Sequence, residues 1–276
     1  AVAAAMAAHA ASAPVQLAGT RALERLCNGH AANVHLLLET GALSSVLASM
    51  ERFPCEEGLL GLGCMVIRNA TACDAKCQAK VAQLGGIQAA LQAISANSAE
   101  VSVQDAGLRA LRELAAYDSS NQDEIVRGGG VQLTLRAAER HADVPSIQVL
   151  ACGVLRNLTA MSAQHQEAVL SHGGAEAVLR AMGGHPESSV VQQAGCWALF
   201  CLCVHNTESQ RLLAAGGSVE AALGAMNRHR CDAKVQEAAC WLLKELAAQI
   251  GDASATQAAQ RAAATHGASP AVRTAA

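Results

Sequence analysis

The segment from Val191 to Leu202 reads VQQAGCWALFCL, and the segment from Val235 to Leu246 reads VQEAACWLLKEL. The two segments begin 44 residues apart and share their order of apolar, glutamine, cysteine and tryptophan positions. The same step runs through the chain at one marker position: Gln16, Leu60, Gln104, Gln148, Gln192 and Gln236. A second marker keeps the step independently: Gly41, Gly85, Gly129, Gly173 and Gly217. A regular period of this length predicts a solenoid, in which each unit buries its apolar face against its neighbours.

Each repeat is predicted to contain three helices. Residues 147–159 carry apolar side chains at i, i+3, i+4 and i+7, the pattern of an amphipathic helix. A shorter helix is expected over residues 162–171, ending at Gly173, and another over residues 175–182. No stretch alternates with period two over a useful length, so the sequence predicts an all-α fold.

Composition narrows the classes of function. The net charge of −3 argues against a nucleic-acid binder, and no apolar run approaches the roughly 18–20 residues that span a bilayer. The repeat places four of the eleven cysteines at one position, and equivalent positions about 10 Å apart are beyond disulfide reach. These four are predicted core residues, which favours a reducing compartment, the cytoplasm or the nucleus: Cys64, Cys152, Cys196 and Cys240.

Residues 191–202 and 235–246 resemble the third helix of armadillo repeats, and residues 41–47 and 85–91 resemble the turn and second helix of that family. The resemblance covers essentially the whole chain. It implies a right-handed armadillo-type α-solenoid of three-helix repeats with a period of 44 residues.

The predicted solenoid occupies residues 1–248, with a partial repeat at residues 1–13. An inserted loop and a degenerate partial repeat are expected at residues 249–276. Because residues 1–9 align with residues 177–185, inside a second helix, we expect a fragment of a longer protein.

The resemblance also implies a binding face. In the armadillo family the third helices line a concave face that binds extended peptides, with tryptophan five residues and asparagine nine residues after the marker position. Here those positions hold Trp197 and Trp241, and Asn69 and Asn157. We expect the tryptophans to anchor a partner and the asparagines to clamp its backbone.

The position eight residues after the marker is rich in cations and is the third candidate set on this face: Arg68, Arg112, Arg156, Phe200 and Lys244. One interpretation is a row that binds carboxylates or phosphates; the other is that the arginines pair locally and hold the repeats in register. The charges predict a face that is basic toward the N-terminus and aromatic toward the C-terminus. It would suit an acidic segment with a hydrophobic anchor.

The chain lacks the phosphate-loop, nucleophile-elbow and HExxH motifs, so neither catalysis nor a cofactor is predicted. Cys73 and Cys77 have helical spacing but make at most half of a metal site, and no metal site is predicted. Four histidines share one position after the second helix, where a ring would close the helix C-terminus: His9, His141, His185 and His229.

The sequence therefore favours a non-catalytic protein-binding scaffold or adaptor, monomeric or part of a larger chain. Its partner would be an extended peptide segment of another protein. Three alternatives remain open: the regulatory arm of a multidomain enzyme such as a kinase or ubiquitin ligase, a nuclear transport adaptor, and a spacer whose concave face binds nothing.

The register itself can be tested at Leu155, whose position is filled by leucine or isoleucine in every repeat. Leu155→Ala is expected to lower the free energy of unfolding by about 2–5 kcal/mol, because the smaller side chain leaves a cavity. Chemical denaturation measures the change. An unchanged midpoint would contradict the proposed register.

Overall fold

The structure is a computed structural model that describes residues 1–250, with side chains up to Leu246. All regular elements within residues 1–250 are helices, which confirms the predicted all-α class. The last helix reaches Ile250, and the rest of the segment predicted at residues 249–276 lies outside the described residues.

One long helix recurs in each repeat and carries the marker position near its start. The prediction over residues 147–159 is confirmed by a helix that begins two residues earlier, at a proline suited to a first helical turn. Within residues 1–250 the six long helices are Ala13–Cys27 (α2), Glu57–Thr71 (α5), Val101–Leu114 (α8), Pro145–Thr159 (α11), Ser189–Cys203 (α14) and Ala233–Ile250 (α17).

A pair of shorter helices follows each of the first five long helices, and a glycine with positive φ joins the two members of each pair. These glycines are the second marker set, and their φ values of 71° to 93° require a residue without Cβ strain. Helix α1, Val2–Ala8, precedes the pairs. The pairs are Ala31–Glu39 (α3) with Ala42–Arg52 (α4), Ala75–Gln83 (α6) with Gly86–Ala96 (α7), Ser119–Arg127 (α9) with Gly130–Arg140 (α10), Ala163–Ser171 (α12) with Gly174–Gly184 (α13), and Thr207–Ala215 (α15) with Ser218–Arg228 (α16).

The chain forms two compact units, Ala1–Arg140 and His141–Ala276. In the first unit α5 packs between α2 and α8, and in the described part of the second α14 packs between α11 and α17. The predicted core residues are buried in both units. Leu155 is 1% exposed, and the four cysteines and four methionines at repeated positions are likewise buried: Cys64, Cys152, Cys196, Cys240, Met6, Met50, Met182 and Met226.

The methionines set how closely the second and third helices of a repeat approach. A Cβ placed on Gly195 would lie 2.5 Å from Cγ of Met182, and one on Gly19 would lie 2.5 Å from Cγ of Met6. Such contacts are far shorter than van der Waals distance, so glycine at this position of the long helix makes room for the methionine.

The marker glutamines are buried and cap the preceding helix. The Nε2 of Gln192 donates to the carbonyl oxygens of Met182 at 2.8 Å and His185 at 3.0 Å. Gln16, Gln104 and Gln236 make the same two bonds to carbonyls ten and seven residues earlier. Carbonyls at a helix end have no partner within the helix, so each glutamine satisfies two acceptors that would otherwise be buried without a donor.

A second set of buried glutamines, which sequence analysis missed, lies in the short helices. The Nε2 of Gln78 in α6 donates to Glu113, Leu114 and Ala116 at the end of α8, the long helix that follows. Gln166 in α12 does the same for Cys201 and Val204 at the end of α14. These bonds tie α6 to α8 and α12 to α14.

The repeated histidines also link repeats. His9, His185 and His229 each occupy the C-cap position of a second helix, but the rings of His185 and His229 do not bond to their own helix as expected. The Nε2 of His185 lies 2.7 Å from the carbonyl of Ala142, and that of His229 lies 2.8 Å from the carbonyl of Pro186. A neutral ring can donate these bonds, so they require no protonation.

Gln192→Leu is expected to lower the free energy of unfolding by about 1–3 kcal/mol, because two carbonyl groups at the end of α13 lose a buried donor. Leucine occupies the marker position naturally at Leu60, so the side chain fits the repeat. Chemical denaturation measures the change, and the adjacent half-buried Gln193→Leu is the matched control. Equal stability of the two variants would show that the caps contribute nothing.

Candidate binding face of the long helices

The three aromatic side chains predicted for the face form one cluster in the second unit. Trp197 and Phe200 project from α14 and meet edge to face, with ring centroids 5.7 Å apart. Phe200 lies 6.1 Å from Trp241 of α17, so it bridges the two tryptophans. All three side chains remain partly exposed. Aromatic pairs at these separations hold one another in place, which makes the cluster a preorganised apolar surface.

Two predicted cations flank the cluster. The guanidinium carbon of Arg156, on α11, lies 5.8 Å from the Trp197 ring centroid, and Nζ of Lys244 lies 4.8 Å from that of Trp241. Both residues are exposed. Sequence analysis predicted a face that becomes aromatic toward the C-terminus and named both cations; the structure places Arg156, Trp197, Phe200, Trp241 and Lys244 in one row. Contact with a ring face helps to position each cation.

Two arginines of the first unit, Arg109 and Arg112, pair with neighbouring acids. Arg109 Nε lies 2.5 Å from Asp105 Oδ2, the local pairing that the spacing suggested, and the Asp105 carboxylate raises the pKa of Arg109. Arg112 Nη2 lies 2.8 Å from Glu113 Oε1. These pairs support the interpretation that the cationic row has a local structural role in this unit.

The two predicted asparagine clamps lie in different units. Asn69, on α5, is only 7% exposed; its Nδ2 donates to Glu24 Oε1 at 3.4 Å, and its Oδ1 accepts from Arg68 Nη1 at 3.0 Å. A peptide would have to displace these bonds to reach the amide. Asn157, on α11, is half-buried and adjoins Arg156. The clamp role of both residues stays a prediction.

Away from this face, the first unit brings together a group that sequence analysis left incomplete. His35 of α3 lies beside Cys73, Asp74 and Cys77, around the start of α6. One potential ligand atom from each residue lies within 4.8 Å of the others. Burial, followed by the hydrogen bond with Asp74, raises the pKa of Cys77 to about 12.

Three surface clefts in the first unit share one position in the repeat. One is lined by Met6 and Ser45, the next by Met50 and Ala93, and the third by Ile94 and Ala137. Each lies between consecutive second helices. Their recurrence identifies them as grooves of the repeat, not as one specialised catalytic pocket.

Within residues 1–250 no single helix is long and apolar enough to cross a membrane. The pair Ala31–Glu39 and Ala42–Arg52 meets the length and composition criteria only when taken together, and it is bent by 73°.

Solved structures with this arrangement include designed armadillo repeat proteins. One superposes with a TM-score of 0.74 at 16% identity, over 83% of this chain and 92% of its own. Another, in complex with the peptide (KR)4, gives a TM-score of 0.73 at 16% identity with the same coverage. No protein-family model matches the chain, and no curated protein does either.

A natural system gives a similar match. A chain from a study of a phosphorylation switch that controls the interaction between cadherin and beta-catenin has a TM-score of 0.78 and 20% identity. The match covers 95% of this chain and 54% of that one. At these identities the likeness establishes the fold, and the protein has the armadillo-type α-solenoid fold that the resemblance implied.

Cysteine labelling tests the burial on which this packing depends. Burial raises the pKa of Cys64, Cys152 and Cys196 to about 12, so at pH 8 they are buried thiols and should resist iodoacetamide. The exposed Cys55 and Cys231 should react first. Peptide mass spectrometry after timed labelling checks this order, and early modification of Cys64, Cys152 or Cys196 would contradict it.

The same shift predicts the effect of alkaline pH on stability. A thiol with a raised folded-state pKa binds its proton more tightly in the folded chain than in the unfolded chain. Its contribution to stability is therefore complete below pH 9.0, the ordinary thiol value, and is lost as pH rises toward about 12. Denaturation at pH 8 and pH 10.5 should show a lower midpoint at the higher pH, and Cys64→Ala should reduce that difference.

Proposed function

We propose that the protein is a non-catalytic interaction scaffold whose second unit binds an extended segment of a partner protein. The partner segment would carry an apolar anchor side chain flanked by carboxylates. The observation that supports this most directly is the row of five side chains from Arg156 to Lys244, in which cations flank three clustered rings.

The aromatic cluster supports an apolar anchor. Tryptophan and arginine are enriched among residues that dominate binding energy at protein interfaces. Trp197, Phe200 and Trp241 lose little further freedom on binding because they already contact one another. A leucine or aromatic side chain of the partner could bury area against rings that water now contacts.

The flanking charges support carboxylates beside that anchor. The guanidinium of Arg156 lies over the Trp197 ring, and a guanidinium can bind a carboxylate in bidentate fashion through its N–H groups. The nearby acid Glu245 is occupied, since its Oε1 accepts from the amide of Gln210 and from the backbone N–H of His205. Its carboxylate keeps its negative charge, so the structure places two cations, Arg156 and Lys244, over the rings and one anion nearby.

The neighbours support a peptide ligand but leave its charge open. The similar designed protein is in complex with the peptide (KR)4, so a protein of this fold can bind a basic peptide. In this chain Arg156 and Lys244 would oppose such a ligand, since like charges across an interface disfavour association. The absence of catalysis, and a location in the cytoplasm or nucleus, are parts of the same proposal.

Fluorescence anisotropy with labelled peptides tests this function. An acidic peptide with a central leucine or phenylalanine should bind more tightly than a Lys-rich peptide of equal length, and raising the salt concentration should weaken binding. Trp197→Ala should weaken it at least about tenfold through loss of the anchor surface. Arg156→Gln should weaken it and reduce its dependence on salt.

Arg180→Gln is the matched control, because Arg180 is an exposed arginine of the same unit on α13 and outside the row. Circular dichroism confirms that each variant is folded. Preference for the Lys-rich peptide would favour a transport adaptor. Equal binding by Arg156→Gln and Arg180→Gln would show that Arg156 does not bind the carboxylates of the peptide. Binding of neither peptide class would contradict the proposed function.

A further inference from the structure

We propose that His35, Cys73, Asp74 and Cys77 form a zinc site that clips one repeat of the first unit to the next. The four residues come from two places: His35 from α3, and the others from the segment that connects α5 to α6 and begins α6. Among the residues whose side chains are described, these four form the group of histidine, cysteine and acidic residues whose possible ligand atoms lie close together.

The distances are close to those of a tetrahedral site. Cys77 Sγ lies 3.6 Å from His35 Nδ1, and Cys73 Sγ lies 3.9 Å from Asp74 Oδ2. His35 Nε2 lies 3.6 Å from the same Asp74 oxygen, so the ring can offer either nitrogen. Bonds of about 2.0–2.3 Å to Zn²⁺ at tetrahedral angles put ligand atoms roughly 3.3–3.8 Å apart. The four ligand atoms, all within 4.8 Å of one another, need only a small contraction to reach that geometry.

The donor chemistry selects the metal. Two thiolates, an imidazole and a carboxylate are ligands of zinc, whereas calcium and magnesium prefer oxygen ligands alone. Four protein ligands would also close the coordination shell, as in structural zinc sites, which leaves no position for a substrate. The site therefore implies a structural role.

The rest of the structure already orients the carboxylate. Asp74 is the N-cap of α6, and its Oδ1 accepts from the backbone N–H of Cys77 at 2.8 Å. That bond holds the carboxylate in one orientation and leaves Oδ2 toward His35 and Cys73. Hydrogen bonds that orient a ligand in this way are typical around metal sites.

Comparison with the other repeats supports a special role for Cys77. The equivalent residues Asn33, Asn121 and His165 each bond to a carbonyl seven residues earlier, at the end of their long helix. Cysteine replaces that hydrogen-bonding side chain in this repeat alone, and Cys73 is likewise the only cysteine at its repeat position. The repeat that precedes these two cysteines carries His35, and the ring of His35 lies against Cys77.

Zinc titration of the full chain tests the site. Protein kept reduced and stripped of metal should bind one Zn²⁺ per chain in competition with a chromophoric chelator. Cobalt(II) in its place should give the thiolate charge-transfer and ligand-field absorption of a tetrahedral sulfur-containing site. Zinc should also raise the thermal midpoint of the chain, since a metal that binds only the folded state stabilises it.

Variants at the surface of the cluster locate the binding. Cys73→Ser and His35→Gln should each weaken zinc binding at least about tenfold, the lower end of the loss seen when even an outer partner of a metal site is removed. Asp74→Asn keeps an N-cap side chain while removing the anionic ligand, so it separates metal binding from helix capping. Cys55→Ser is the matched control, because Cys55 is exposed and outside the cluster.

The proposal is overturned if the reduced chain binds no stoichiometric zinc. It is equally overturned if the double variant His35→Gln/Cys73→Ser binds zinc as the unaltered chain does, or if Cys55→Ser abolishes binding. These results are independent of the peptide-binding face, whose proposed row lies in the second unit.

Discussion

The buried glutamine amide is the interaction on which the repeat depends. A short-helix solenoid creates many helix ends, and each end buries carbonyl groups that the helix itself cannot satisfy. The marker glutamines, as at Gln192, close the second helix that precedes their own long helix, and Gln78 and Gln166 close the long helix that follows their own pair of short helices. With the carbonyls satisfied, apolar packing can proceed over closely spaced helices such as those that meet at Gly195 and Met182.

Capping and packing use buried positions of the long helices. The side chains at outward positions therefore differ between the two units in the contacts that they make. In the first unit Arg109 and Arg112 pair with acids on their own helix, and Asn69 bonds to Glu24. In the second unit the same positions hold rings that contact one another and cations that lie over them. One backbone pattern thus supports two surfaces of different chemistry, which is how a repeat protein acquires specificity without altering its fold.

The period and the apolar pattern were enough to predict the fold, since a solenoid's contacts are local and repeat with the sequence. Helix positions, turn glycines, core cysteines and the burial of Leu155 all followed from that register. The hydrogen-bond partners of surface residues could not be predicted from the register. Asn69 bonds to Glu24, 45 residues earlier in the chain. Several acceptors lie at similar spacings, so the spacing alone does not predict which of them the asparagine binds. Likewise His35 reaches Cys77 across 42 residues, close to one period, and a search of adjacent registers, not of adjacent residues, would have found it.

The capping bonds of Gln78 and Gln166 also constrain how the length of the chain can change. Gln78 reaches carbonyls 35 to 38 residues ahead, and Gln166 reaches carbonyls at the same two separations. Donor and acceptor hold the same pair of repeat positions in both cases, so removing or duplicating 44 residues would leave Gln78 and Gln166 facing equivalent carbonyls. An insertion or deletion of another length between a donor and its acceptors would break these bonds. The two glutamines therefore favour changes in chain length by complete periods of the repeat.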